Sequence, residues 1–232
     1  MKIAGALAFV GLTTLPALAG GIVEAPYDAL ARELTERVDF ERLPRREEPG
    51  FNLDMPLYAS GAWLGERFEG QSVETDPKGH DRIAADDVAG WLRIAGGAPR
   101  RNLNVAFHRG FGSNAVFPLG AAGFPEISAR GEGSLAILFD HDQKATGFRV
   151  HTDYTDPLGS RPTSDSGIEV LFYSREGRLL DRLQHRPGPG ISAFGYTQST
   201  GAPGIAGLVI LNTDPGGIAV DDIIFALPPL LG

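Results

Sequence analysis

The chain has no cysteine among its 232 residues. That excludes disulfide staples, thiolate nucleophiles and cysteine-held metals. Stability must come from an apolar core, a metal held by other ligands, or both. Positive charge is also short, with 21 Lys and Arg against 29 Asp and Glu, a net charge of −8. An acidic surface disfavours nucleic-acid backbones and anionic membranes. The basic cluster of Arg42, Arg45 and Arg46 is diluted by Glu41, Glu47 and Glu48, and reads as a solvated loop. Long apolar runs are scarce. The run from Ile3 to Leu15 is too short for a membrane span. Lys2 precedes it and Ala17-Leu18-Ala19 follows, so residues 1–19 read as a signal peptide and the mature chain as one without a membrane span. The expected location is outside the cytoplasm: periplasm, cell surface or medium.

Helical periodicity is nearly absent as well. It occurs between Pro26 and Arg37, where Tyr27, Leu30, Ala31 and Leu34 fall at helical spacing. Residues 20–37 therefore read as an N-terminal helical segment, and residues 38–228 as a β domain. Short apolar or alternating runs recur across that domain, among them Ser134 to Phe139, Thr146 to Tyr154 and Gly167 to Tyr173. With 31 glycines and 17 prolines, turns are frequent and strands short. The pattern predicts an antiparallel β-sandwich of jelly-roll type with one short helix. The polar stretch from Glu69 to Val88 and the Gly-rich stretch from Gly110 to Pro125 read as long loops.

The end of the chain is the most informative part. Gly204 to Asn212 and Gly216 to Phe225 form two apolar runs joined by turn residues. The second run carries Asp221 and Asp222 side by side. Acidic residues are depleted in strands. Alternation sends one of the two inward, and a buried carboxylate needs a partner or a cation. Parity groups Asp221 with Ile223 and Phe225, which makes Asp221 the inward one.

Three pieces together resemble the jelly-roll domains of exported bacterial proteins, including the galactose-binding-like carbohydrate-binding modules. They are Val38 to Pro44, Ile168 to Leu180, and Gly217 to Phe225. The resemblance covers most of residues 38 to 226 and is one of architecture. It implies first and last strands lying together, often bridged by a structural calcium. Glu41 and Asp221, with Asp222 as the alternative, are the ligands so implied. Calcium asks for six to eight oxygens, so these carboxylates would be part of a larger set.

Sugar recognition needs exposed aromatic faces beside polar groups. Tyr154, at a strand end beside Asp153 and Asp156, is the expected surface aromatic of that kind. Trp63 and Trp91 lie in apolar stretches and read as core. Asp140-His141-Asp142 reads as a solvated turn. None of the histidines, His80, His108, His141, His151 and His185, stands in a zinc spacing. No G-x-S-x-G motif or phosphate loop is complete. The sequence thus leans towards a non-catalytic module whose partner is a glycan or another extracytoplasmic surface component. A structural or adhesion protein and a glycoside hydrolase-like enzyme on the same scaffold are the alternatives.

Overall fold

The computed structural model describes residues 21–84, 86–152 and 167–228. The N-terminal part gives β1 (Ile22–Ala25), α1 (Tyr27–Glu33), β2 (Glu36–Val38), β3 (Phe51–Leu53), β4 (Leu57–Ala59) and β5 (Ala62–Gly65). Then follow β6 (Arg67–Phe68), β7 (Val73–Thr75), β8 (Asp81–Ile83), β9 (Ile94–Ala95), β10 (Leu103–His108) and β11 (Ser113–Pro118). The last third holds β12 (Leu135–Gln143), β13 (Ala145–Thr152), β14 (Ile168–Tyr173), β15 (Leu179–His185), β16 (Gly190–Gln198), β17 (Ile205–Asn212) and β18 (Ala219–Phe225). The leader expected at residues 1–19 lies outside the described residues. Among those described, no helix is long and apolar enough to cross a membrane.

Two antiparallel sheets make a sandwich. The larger runs β1-β16-β13-β18-β11-β10-β3, with β2 also on β18. The smaller runs β15-β14-β17-β12-β5-β4. From β12 to β14, and from β15 to β18, the chain crosses between sheets at each step, as a jelly roll does. The first and last parts of the chain meet in the larger sheet, where Val38 pairs with Ile223.

The core follows the two-residue period of strands. Leu103, Val105, Phe148, Val150 and Val220 face Leu135, Ile137, Phe139, Val170 and Phe172. Phe139 and Phe225 meet across it at 5.1 Å between ring centroids.

A second apolar layer covers the outer face of the smaller sheet. Phe68, Ile83, Val88 and Leu92 pack on Ala136, Leu171, Tyr173 and Leu211. The stretch from Glu69 to Val88, expected as a loop, is instead part of this cover, built from the ribbons β6–β9 and β7–β8. Its apolar anchors are too far apart in sequence to show a period. Buried polar groups fasten its root: Ser134 Oγ donates to the Glu66 carbonyl at 2.8 Å, and His80 Nδ1 lies 2.6 Å from Glu132 Oε2.

The helix is shorter than expected, and strands flank it on both sides. Tyr27 and Leu30 pack on Ala145 and Ile224 at the outer face of the larger sheet. Gly195 makes that approach possible. A Cβ there would stand 2.5 Å from the Ala25 carbonyl oxygen and 3.0 Å from Leu30 Cδ1.

Candidate functional site

Tyr154, Asp153 and Asp156, the expected glycan residues, lie outside the described residues. Glu41, Asp221 and Asp222, the expected metal ligands, are described and lie near one another at the junction of β2, β11 and β18. Their order differs from simple alternation. Arg149 pairs with Asp221 and Gly147 with Ile224, so β18 holds an extra residue there. Asp222 takes φ of 50°, the left-handed turn of that bulge. The parity expectation for Asp221 therefore fails: Val220 and Ile223 both enter the core, and Asp221 lies on the outer face with Ala219.

Asp221 is still only 1% exposed. Ser113 Oγ donates to its Oδ2 at 2.6 Å, and the Asp222 N–H donates to its Oδ1 at 2.7 Å. Burial pushes its pKa up to about 7 against these two hydrogen bonds, with the charges of Asp222 and Asp39 adding to the rise. Asp222 instead takes two guanidiniums, Arg37 at 3.2 Å and Arg149 at 3.0 Å. Glu41 Oε1 accepts the Asn114 N–H at 2.6 Å. Among the described residues, no three acidic or histidine side chains converge as a metal site would require.

The exposed aromatics lie elsewhere, and they correct the sequence reading of both tryptophans as core. Trp91 is 71% exposed and Trp63 is 40% exposed. Ala62 and Leu64 point into the core, so strand alternation turns Trp63 outward between them. That signal is present in the sequence, but the surrounding apolar residues mask it.

Tyr58 stands opposite Trp63 on β4 and is 50% exposed. Their ring centroids are 4.9 Å apart at an interplanar angle of 51°. The hairpin that presents them turns through Ser60 and Gly61, with φ of 51° and 98°. Both values are positive, the requirement of a two-residue type I′ turn that matches strand twist. The turn also fixes an acid. The Asp140 N–H donates to the Gly61 carbonyl at 2.9 Å, and Tyr58 Oη donates to Asp140 Oδ2 at 2.9 Å. That hydrogen bond to Asp140 raises the Tyr58 pKa. Asp140 belongs to β12, which continues through the stretch read as a turn. Two residues on, Asp142 holds Arg175 at 2.8 Å, and the Arg175 carbonyl accepts the Leu92 N–H at 2.9 Å. The Trp91 loop is thereby tied to the same strand as Asp140.

The arrangement is two exposed rings with a carboxylate at their edge. Such rings offer flat apolar area, and the carboxylate offers a hydroxyl acceptor.

A third cluster, on the outer face of the larger sheet, is closed. His108 and His151 have ring centroids 4.7 Å apart, with Phe111 4.9 Å from His108. The His108 Nδ1 accepts the Phe111 N–H at 3.0 Å. Burial, with His151 beside it, pushes the His108 pKa down to about 3 and keeps the ring neutral.

No protein-family model matches the chain, and no curated relative matches it. Among solved structures it is similar to two mutants of CBM29-2, made to probe ligand recognition by family 29 carbohydrate-binding modules. One superposes with a TM-score of 0.31 at 9% identity, over 59% of this chain and 89% of that one. The other superposes with a TM-score of 0.30 at 9% identity, over 62% of this chain and 97% of that one. The functional reading rests on the side chains described above.

Proposed function

We propose that this chain is an exported, non-catalytic carbohydrate-binding module that holds a glycan against Tyr58 and Trp63. The observation that carries the reading is this pair of exposed rings, set by a type I′ hairpin and edged by Asp140. A pyranose ring lays its C–H face on the indole, and its hydroxyls reach the carboxylate. Tyr58 occupies Asp140 Oδ2, which leaves Oδ1 for a sugar hydroxyl. Trp91, on the loop tied to the same strand as Asp140, offers a further exposed ring, which suits a chain of sugars better than one residue.

The test is titration of neutral β-linked oligosaccharides of increasing length, read by tryptophan fluorescence and calorimetry. Affinity should rise with length and fall at least about tenfold in Trp63→Ala, since an aromatic contact contributes about 1 kcal/mol beyond the area it buries. Trp63 is exposed, so the melting point should hold. Unchanged affinity in that variant would remove the platform from the function.

A structural calcium at Glu41 and Asp221 is proposed separately. What supports it is negative charge gathered at one corner by Asp39, Asp221 and Asp222. Against it stands the positive charge already supplied to Asp222 by Arg37 and Arg149. An ion that binds only the folded chain raises its unfolding midpoint. Added calcium should raise the midpoint and chelator lower it, and Asp221→Ala should abolish the difference. Equal midpoints in both solutions would eliminate an exchangeable ion.

A further inference from the structure

A cleft of about 460 Å³ opens where the β7–β8 ribbon meets the smaller sheet, lined among others by Arg82, Glu169, Gln184, Arg186 and Leu211. It lies at the β14–β15 edge of that sheet. The Tyr58–Trp63 platform stands at the β4–β5 edge, so the two share no residue. The cleft volume is in the ordinary range for small-ligand sites.

Its charges are unevenly satisfied. Arg182 Nε holds Glu169 Oε1 at 3.0 Å, and Gln184 Nε2 donates to the same oxygen at 3.4 Å. The wall acid is therefore already partnered. Arg82 spends one nitrogen on Asp76 at 3.0 Å and keeps its other donors. Arg186 has no acidic partner among the described residues, although the chain carries 29 acids against 21 bases. Two guanidiniums thus border one cleft, each with N–H groups to give. A planar carboxylate is the group that matches a guanidinium fork, through two parallel charge-assisted hydrogen bonds. Beyond them the wall carries the Gln184 and Asn212 side chains, His185 and the partnered Glu169, polar groups that suit hydroxyls. No Phe, Tyr or Trp is among the cleft's lining residues, and the imidazole of His185 is engaged by Tyr196 Oη at 2.9 Å, so recognition here works by charge and hydrogen bonding.

We infer that this cleft is a second binding site, which takes a small polyhydroxylated carboxylate, a hexuronate sugar, with Arg186 and Arg82 holding its carboxylate. The site stands whether or not the platform binds a glycan.

The experiment is calorimetric titration of the full chain with glucuronate, with glucose, and with sulfate at matched ionic strength. Glucuronate should bind saturably and at least about tenfold more tightly than glucose, the ratio that corresponds to one charge-assisted contact. Arg186→Ala should lower that affinity about tenfold, and Arg186→Lys should restore only part of it, because the fork is lost while the charge stays. Trp63→Ala should leave glucuronate binding unchanged, so failure of either site is read without the other. Arg186 is exposed, and equal melting points confirm that its variants fold. Absence of glucuronate binding, equal affinity for glucose, or indifference to Arg186→Ala overturns the inference. Sulfate competing as well as glucuronate overturns it too, since the cleft would then be a general anion seat.

Discussion

Asp221 shows what a single residue can report. Its pKa in the fold, about 7, is raised by burial above an unfolded value near 4. Between those values the native chain holds the proton more tightly than the unfolded chain. The contribution to stability is therefore full below the unfolded pKa and is lost as pH rises through about 7, by about 1.4 kcal/mol for each pH unit between the two values. Asp81 adds to the same trend, since burial and the Glu66 charge raise it to about 6. Urea unfolding at pH 5 and pH 8 should show the protein less stable at the higher pH, and Asp221→Asn should flatten the difference. A cation bound to Asp221 would need the deprotonated form, and calcium would then make stability rise with pH. The sign of the slope in calcium and in chelator thus separates the two states of this residue. Only part of this is legible in the sequence. Asp221 is marked there as a buried acid in a strand, which it is. The bulge at Asp222 is not marked, because the left-handed turn is made by an aspartate rather than a glycine. One extra residue then reverses the face that parity assigns.

At the scale of elements, glycines decide where pieces meet. Gly61→Ala should strain the β4–β5 turn, because its φ is 98° and the new Cβ would stand 2.9 Å from Leu227 Cδ2. The expected cost is about 1 kcal/mol or more, read as a lower urea midpoint, together with weakened glycan binding as Trp63 and Asp140 lose register. Gly195→Ala should act on the helix instead. Overpacking against Ala25 and Leu30 should cost about 1–3 kcal/mol and speed proteolysis around residues 22–34. Elements with near-continuous apolar runs, such as β12, β14 and β17, are legible from sequence. The ribbons β6 to β9 are not, because strands of two or three residues carry no period. Their order comes from Phe68, Ile83 and Val88 gripping a sheet that is far away in sequence. Trp63 is obscured for the opposite reason: its period is present, but the hydrophobic neighbours outweigh it.

For the whole molecule, the cover over the smaller sheet is the part least visible in the sequence, and it positions both proposed sites. It spans the middle of that face, leaving the platform at one edge and the cleft at the other. Phe68 is its keystone, wholly buried and edge-on to Tyr173 at 5.4 Å. Phe68→Ala should cost about 3–5 kcal/mol by chemical denaturation, and should disturb the cleft before the platform, since Arg82 rides on the same cover.

The place of the last two strands has a kinetic consequence. β17 lies between β14 and β12, and β18 between β13 and β11. Each sheet is therefore completed from its middle by residues 205–225. A nascent polypeptide can form hairpins as it emerges, but neither sheet can close until residues 205–225 arrive. Folding then waits on contacts far apart in sequence, such as Val38 with Ile223, and such long loops make for slow closure. The sandwich is built to stay open until residues 205–225 have been made.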